Sequence, residues 1–308
     1  MAPGLNVNVA KQAELLKQEG NSYFKKERLG AAIEAYTQAI TLCPNVPAYW
    51  TNRALCHRKR DDWEKVEADC RKALELDNSS VKAYYMLGLA LLQHKHYAGG
   101  VKQLQKALDL GRGANPSSYM VEEIWQELAK ARYLEWESAS SIRLKKQQEL
   151  RMICERTLQQ EHESTIIHSS QSNGSIKNTN DGDLESINLE GEFISRQNSS
   201  NLDLEKVYKE HCDILSDVFN KAAEADIPTE VPEYLCCKIT LDIFRDPVIT
   251  PSGVTYERAV ILEHIQKVGK FDPITREPLQ ASQLVPNFAI KEAVQAYLDN
   301  HGWAYKTT

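Results

Sequence analysis

The chain has 308 residues, 42% of them hydrophobic, enough for two or three domains with ordinary cores. A formal net charge of -6 argues against a broad nucleic-acid surface. The longest strongly apolar stretch, YYMLGLALL at 84–92, falls far short of the roughly 20 residues that span a bilayer, so no membrane partner is expected. The opening MAPGLNVNVA lacks a basic stretch running into an apolar core and reads as no secretory signal. Seven cysteines without paired spacing point to reduced thiols and a cytoplasmic location, with the nucleus also open.

The first hundred-odd residues repeat every 34. Counting from Ala13 places Gly20, Tyr23, Ala32, Tyr36, Ala39 and Pro44 at recurring positions. A second unit from Pro47 supplies Trp50, Ala54, Cys70 and Ala73, and a third from Val81 supplies Tyr84, Gly88, Leu104 and Ala107. Small residues let paired helices approach and aromatics fill the gaps between units. This is the tetratricopeptide period, which stacks into a superhelix whose groove is lined by the first helix of each pair.

Lys17 and Asn21 share one face of the first unit, Asn52 and Lys59 one face of the second, and Lys82 opens the third. Three ammonium groups and two amides around one groove suit an acidic peptide with a free carboxylate, although each lysine alone reads as a solvated charge. The set resembles the carboxylate clamp of tetratricopeptide co-chaperones. That resemblance implies binding to the Glu-Glu-Val-Asp tails of heat-shock chaperones of the seventy- and ninety-kilodalton classes. Several such clamps carry a cation at position six of the third unit, where this chain has Met86. Tyr85 and Met86 can floor an apolar pocket or belong to the core. Tyr119 and Glu122 stand at the exit of the array.

From Val121 to Gln160 the text is helical, with Ile124, Leu128, Ala131 and Leu134 on one stripe that can cap the array. HSSQSNGSIKNTNDGD at 168–183 has linker composition and is expected to be disordered. Leu204, Val207, His211, Ile214 and Val218 then form a short amphipathic or coiled-coil stripe, ended by the prolines of DIPTEVPEY.

Cys236 and Cys237 are adjacent and lack the Cys-x-x-Cys spacing of a zinc or redox pair, so no metal and no cofactor is expected. DPVITPSGVTYE reads as a hairpin turning on Pro251 and Gly253. A helix follows with Ile261, Leu262, Ile265 and Val268 on one face and Gly269 as its stop. After the loop KFDPITREPL, Asn287 is placed to cap a last helix carrying Ile290, Val294, Tyr297 and Leu298.

YLCCKITLDIFRDPVITPSGVTYER and FDPITREPLQASQLVPNFAIKEAV closely resemble the U-box, in which hydrogen bonds and ion pairs replace the two zincs of a RING domain. Arg245, Asp246, Glu257, Arg258, Thr275 and Arg276 can supply that network. The resemblance implies a conjugating-enzyme contact through Ile239, Leu241, Pro273, Arg276 and, more weakly, Asn287 and His264. It also implies a homodimer through Ile249 and Val285. Each of these apolar residues could equally be core.

The expected fold is mainly α: a tetratricopeptide superhelix, a helical middle segment with coiled-coil character, and a small α+β, RING-like, zinc-free U-box. Repeats are expected over 13–114, a capping helical segment over 115–160, a low-complexity linker over 161–200, an amphipathic helix over 201–226 and the U-box over 229–303. Both ends together resemble the chaperone-dependent U-box ubiquitin ligases. Their partners are ubiquitin, a ubiquitin-conjugating enzyme and misfolded clients. The rival reading is a non-enzymatic co-chaperone adaptor whose last domain only dimerises. A cysteine-dependent enzyme stands third, because no Cys lies beside a His-bearing motif.

Overall fold

The computed structural model describes residues 3–114, 119–172 and 186–307. Six helices form three antiparallel pairs: α1 (Pro3–Lys25) with α2 (Leu29–Leu42), α3 (Pro47–Lys59) with α4 (Trp63–Leu76), and α5 (Val81–Gln93) with α6 (Tyr97–Ala114). α3 and α5 start where the period places them, whereas α1 begins ten residues before Ala13. Gly20 has its reason in packing, since a Cβ there would sit 2.6 Å from the Tyr36 ring that crosses it. No side chain larger than hydrogen fits without moving that ring.

The period also governs backbone conformation. Glu27, Asp61 and Lys95, each 34 residues from the next, take positive φ angles of 56°, 55° and 59°. Each sits in the turn inside a helix pair, and the following residue donates five positions back: Arg28 to Tyr23, Asp62 to His57 and His96 to Leu91. Left-handed backbone costs an L-residue roughly 1–2 kcal/mol, so the same small strain recurs in every unit.

α7 (Tyr119–Ser172) opens with two buried faces. Ile124, Leu128 and Ala131 join the core of the repeats, as their spacing predicts. Ala129, with Trp125, Tyr133 and Trp136, packs into the core of the C-terminal domain. Residues 1–137 and 230–308 accordingly form one compact unit and residues 138–229 a second.

In the second unit the later part of α7 runs beside α8 (Ser186–Ala223). Arg143 pairs with Asp226, Gln147 donates to the Ala222 carbonyl, and the His162 and Tyr208 rings stack at 4.4 Å. Two expectations need correction here. Helix covers 161–172 and 186–200 of the expected linker, a reach that fits a stretch free of Gly and Pro from Glu161 to Ser172; residues 173–185 lie outside the described residues. On α8 the side facing α7 carries Leu204, Tyr208, Cys212, Leu215 and Phe219, while Val207, His211, Ile214 and Val218 are exposed. The helix has two apolar stripes, and the expected one, apart from Leu204, is turned to solvent. Among the described residues no helix is long and apolar enough to cross a membrane.

The C-terminal domain has β1 (Pro247–Ile249), β2 (Thr255–Glu257), α9 (Arg258–Lys267), β3 (Val285–Pro286) and α10 (Phe288–Asn300). The sheet is antiparallel, in the order β2-β1-β3. Val248 faces Tyr256 across the hairpin and both are fully buried, while Gly253 takes the φ of +85° that the turn demands. α9 buries Ile261 and Ile265, but it ends at Lys267, which leaves the expected Val268 exposed. Gly269 lacks the left-handed conformation of a helix stop; a Cβ there would meet the Phe271 ring at 2.5 Å.

Lys95 is exposed, so the strain at its turn can be probed without touching the core. Lys95→Gly should stabilise the repeats by about 0.5–1 kcal/mol and Lys95→Ile should destabilise them by at least as much. Urea unfolding of the full chain checks the sign of both.

Candidate functional sites: a cationic groove and a two-loop shelf

The first helices of the pairs bring the expected groove residues together. Asn21 Oδ1 accepts from the Tyr36 hydroxyl at 2.7 Å and from Asn52 Nδ2 at 3.3 Å, so the two amides are joined. Lys17 pairs with Glu14 of its own helix. Lys59 lies 3.4 Å from Glu27 and 5.1 Å above the Phe24 ring. Burial, and then the neighbouring Arg58, lower the pKa of Lys82. Burial raises the Cys56 thiol pKa, and the charges of Lys59 and Lys82 oppose that rise. Met86 is fully buried and is core, not pocket floor. Tyr85 is buried as well, and its hydroxyl donates to Glu123 of α7 at 2.7 Å. Glu122, expected at the exit of the array, instead meets Arg245 at 2.5 Å.

The second site consists of two loops built on one plan, 35 residues apart. In the first, Leu241 N donates to Cys237 O and Cys237 N to Asp242 O, both at 2.8 Å. In the second, Arg276 N donates to Asp272 O at 2.9 Å and Asp272 N to Glu277 O at 2.8 Å. Cys236 bridges Ile243 just outside the first loop and Phe271 bridges Pro278 just outside the second. Leu241 and Arg276 occupy the same left-handed position, with φ of 63° and 65°. Ile239 therefore corresponds to Ile274, and Thr240 to Thr275.

What fills the two loops differs. Asp272, almost wholly buried, accepts at Oδ1 from the Tyr256 hydroxyl (2.6 Å), Ile274 N (2.9 Å) and Thr275 N (3.1 Å). At Oδ2 it accepts from Ser252 Oγ (2.8 Å), with Thr250 Oγ1 at 3.1 Å. Burial alone would raise this carboxyl; the donors, Tyr256 first, overcome it and hold the pKa at about 2. In the first loop Cys237 Sγ accepts from Glu257 N at 3.4 Å, and the Glu257 carboxylate accepts from the backbone of Arg245 (2.8 Å) and Asp246 (3.1 Å). Burial raises the Glu257 pKa against those two bonds. Arg258 reaches Asp246 at 2.6 Å.

Adjacent residues of β2, Tyr256 and Glu257, thus fasten both loops. Of the expected network, Arg245, Asp246, Glu257, Arg258 and Thr275 take part. The Arg276 side chain does not; it is exposed, 5.2 Å over the Phe271 ring. Thr250, Ser252, Tyr256 and Asp272 were not anticipated. The sequence signal was Asp-Pro-x-Thr, an Asx turn whose aspartate caps its own loop.

The exposed faces of the loops carry Ile239, Leu241 and Ile274 at 42%, 75% and 55% exposure, with Pro273 half-buried beside Ile274. These are shelf residues, not core. Asn287 is occupied, its Oδ1 capping Ile290 N at 3.2 Å and its Nδ2 donating to Thr255 Oγ1 at 3.0 Å, so its place is structural. His264 likewise ties α9 to the second loop through the Phe271 carbonyl at 3.1 Å. Ile249 and Val285 are cross-strand partners, and Val285 is exposed. Burial raises the thiol pKa of Cys56 to about 11, of Cys70 to about 12 and, less far, of Cys236, while Cys237 is buried. None of these four sulfurs is poised as a nucleophile. No group of three or more potential metal ligands occurs among the described residues.

The U-box domain family matches residues 231–303 and a tetratricopeptide repeat family matches 20–59. The chain is 58% identical over 294 residues, 96% of its length and 96% of the relative's, to the E3 ubiquitin-protein ligase CHIP of Arabidopsis thaliana. The chain belongs to the CHIP family. It is a tetratricopeptide and U-box protein of the ubiquitin ligase class. Two further likenesses are to proteins named for tetratricopeptide repeats. The small glutamine-rich tetratricopeptide repeat-containing protein 2 of Mycosarcoma maydis is 38% identical over 32% of this chain and 28% of its own. A solved yeast Sti1 TPR2B domain in complex with an Hsp70 peptide matches 39% of this chain and 96% of its own, at 33% identity and a TM-score of 0.37.

Asp272→Ala would strand the Tyr256 hydroxyl and two loop amides and should cost about 3–5 kcal/mol. Asp272→Asn keeps one acceptor oxygen and should cost less. Because folding lowers the Asp272 pKa, its contribution of ~2 kcal/mol is present above pH ~4 and is lost as pH falls toward 2. That acid-dependent loss should shrink in Asp272→Asn. Amide exchange of the second loop, followed from pH 5 to 2.5, reports both effects.

Proposed function

We propose that the groove grips the acidic, free C-terminal tails of seventy- and ninety-kilodalton heat-shock chaperones while the two-loop shelf receives a ubiquitin-loaded conjugating enzyme. Misfolded clients held by the chaperone are then the ubiquitin acceptors. The observation that carries the first half is the Asn21–Asn52 hydrogen bond between the first helices of two successive units, with Lys17 one turn from Asn21, Lys59 two turns from Asn52 and Lys82 on the first helix of the third unit. Amides there bind main-chain groups and ammoniums neutralise carboxylates.

The second half rests on paired loops whose apolar side chains point outward from a rigid base. A substrate lysine attacks the thioester carbonyl on the conjugating enzyme; an isopeptide bond forms and the enzyme's cysteine thiol leaves. The U-box supplies no nucleophile of its own. It supplies a fixed docking surface and Arg276, whose exposed guanidinium can hydrogen-bond the docked pair and restrict the thioester's orientation. Restricting orientation lowers an entropic barrier by several kcal/mol.

The working form we propose is a homodimer. The exposed Val285 with its half-buried cross-strand partner Ile249, and the exposed Val207–Ile214–Val218 stripe on α8, are apolar surfaces suited to a second copy. The cellular setting we propose is the cytoplasm, extending to the nucleus.

With purified components and a chelator present, the wild type should transfer ubiquitin, and Ile239→Ala and Arg276→Ala should each lose most of it while remaining folded. No transfer across a panel of conjugating enzymes would favour the adaptor reading. For the groove, Lys17→Ala or Lys82→Ala should weaken a free-carboxylate Glu-Glu-Val-Asp peptide roughly tenfold, as should amidation of the peptide. Calorimetry that finds equal affinity in all three cases would refute the clamp.

A further inference from the structure

Arg276 is exposed, and an exposed arginine side chain samples many rotamers. A guanidinium that restricts a thioester must itself be restricted, or docking has to order both groups at once. Among the described residues Arg276 pairs with no acid, unlike Arg245 and Arg258 of the same domain. Its guanidinium lies instead 5.2 Å over the ring of Phe271, at the base of the second loop.

Phe271 is placed for that contact and not for the core. It is half-buried and stands outside the apolar cluster that fills the U-box. The His264 ring of α9 stands perpendicular to it, at 89° with centroids 5.1 Å apart. His264 Nε2 lies 3.1 Å from the Phe271 carbonyl, so one side chain holds both the ring and its backbone. Gly269 leaves the space the ring needs, since a Cβ there would come within 2.5 Å of it. That glycine takes no left-handed φ, so the ring and not a turn explains it. The backbone bridge between Phe271 and Pro278 closes the loop around Arg276. A helix side chain, a glycine and a bridge thus fix the ring on which the guanidinium rests.

Resting on the role given to Arg276 above, we infer that Phe271 is a positioning residue for ubiquitin transfer, holding the Arg276 guanidinium ready for the ubiquitin-loaded conjugating enzyme. It touches neither the thioester nor the lysine that attacks it; it acts through Arg276. A ring face attracts a guanidinium electrostatically and leaves its N–H donors for incoming carbonyl oxygens. A carboxylate in the same place would hold the guanidinium as firmly but would occupy those donors. The ring orders Arg276 without consuming it.

The test uses the full chain and a purified ubiquitin-loaded conjugating enzyme, with free lysine as the acceptor. At saturating loaded enzyme, Phe271→Leu should slow discharge roughly 3–10-fold, the range of a cation–π contact. Its Kd for the unloaded conjugating enzyme should stay within about twofold of wild type, because the exposed shelf of Ile239, Leu241 and Ile274 is untouched. Phe271→Tyr, which keeps the ring, should restore most of the rate. In an Arg276→Ala background, Phe271→Leu should cost nothing further, since no guanidinium is left to hold. Equal losses from Phe271→Leu with and without Arg276 would mark the ring as merely structural and overturn the inference, as would a wild-type rate. If Arg276→Ala itself discharges like wild type, the role of Arg276 falls and takes this inference with it.

Discussion

The opening turns of α7 carry two cores at once, and both sites depend on that. Ile124, Leu128 and Ala131 close the last face of the repeats, where an array would otherwise expose apolar surface to water. Trp125, Ala129, Tyr133 and Trp136, on the other side of the same turns, are walls of the U-box core. Neighbouring acids divide in the same way: Glu123 fixes Tyr85 in the core of the repeats and Glu122 pairs with Arg245, whose guanidinium also stacks 3.8 Å over Trp125. A helix buried on two faces cannot rotate to improve one contact without spoiling the other. The groove and the shelf therefore share a rigid element rather than a flexible joint.

The U-box shows how a loop can be fixed by two unrelated chemistries. Both loops fold the same backbone turn and both need a buried acceptor at its base. In one that acceptor is the Asp272 carboxylate, in the other the Cys237 sulfur together with the Glu257 carboxylate. Opposite pKa shifts follow from the donor count. Asp272 collects enough donors to overcome burial, whereas Glu257 is held mainly by two backbone amides and does not. Because β2 anchors both bases through Tyr256 and Glu257, the apolar tips are carried on one strand, and their separation is set by the sheet.

The repeats were legible because their register is written in steric terms: a glycine facing a tyrosine, small residues recurring every 34 positions, aromatics between units. The shelf was legible in part. Ile239, Leu241 and Pro273 sit where the resemblance implied, but Ile274 emerges only when the two loops are superposed. Asp272 was missed because its donors come from residues 16 to 22 positions earlier, brought in by the hairpin. The α8 face that packs on α7 was missed because a helix with two apolar faces satisfies the spacing test twice.

Charge adds a final constraint. A chain with a net charge of -6 repels an acidic tail that comes within about a Debye length of its surface and attracts it only where cations are concentrated. Exposed lysines scattered over the surface would be screened and would serve poorly. Half-buried cations are screened less, which favours Lys82 over the exposed Lys59. Burial costs those groups solvation in the empty groove, and the acidic tail returns it. Local attraction set against general repulsion rewards a peptide that fills the groove and penalises acidic protein that merely passes by.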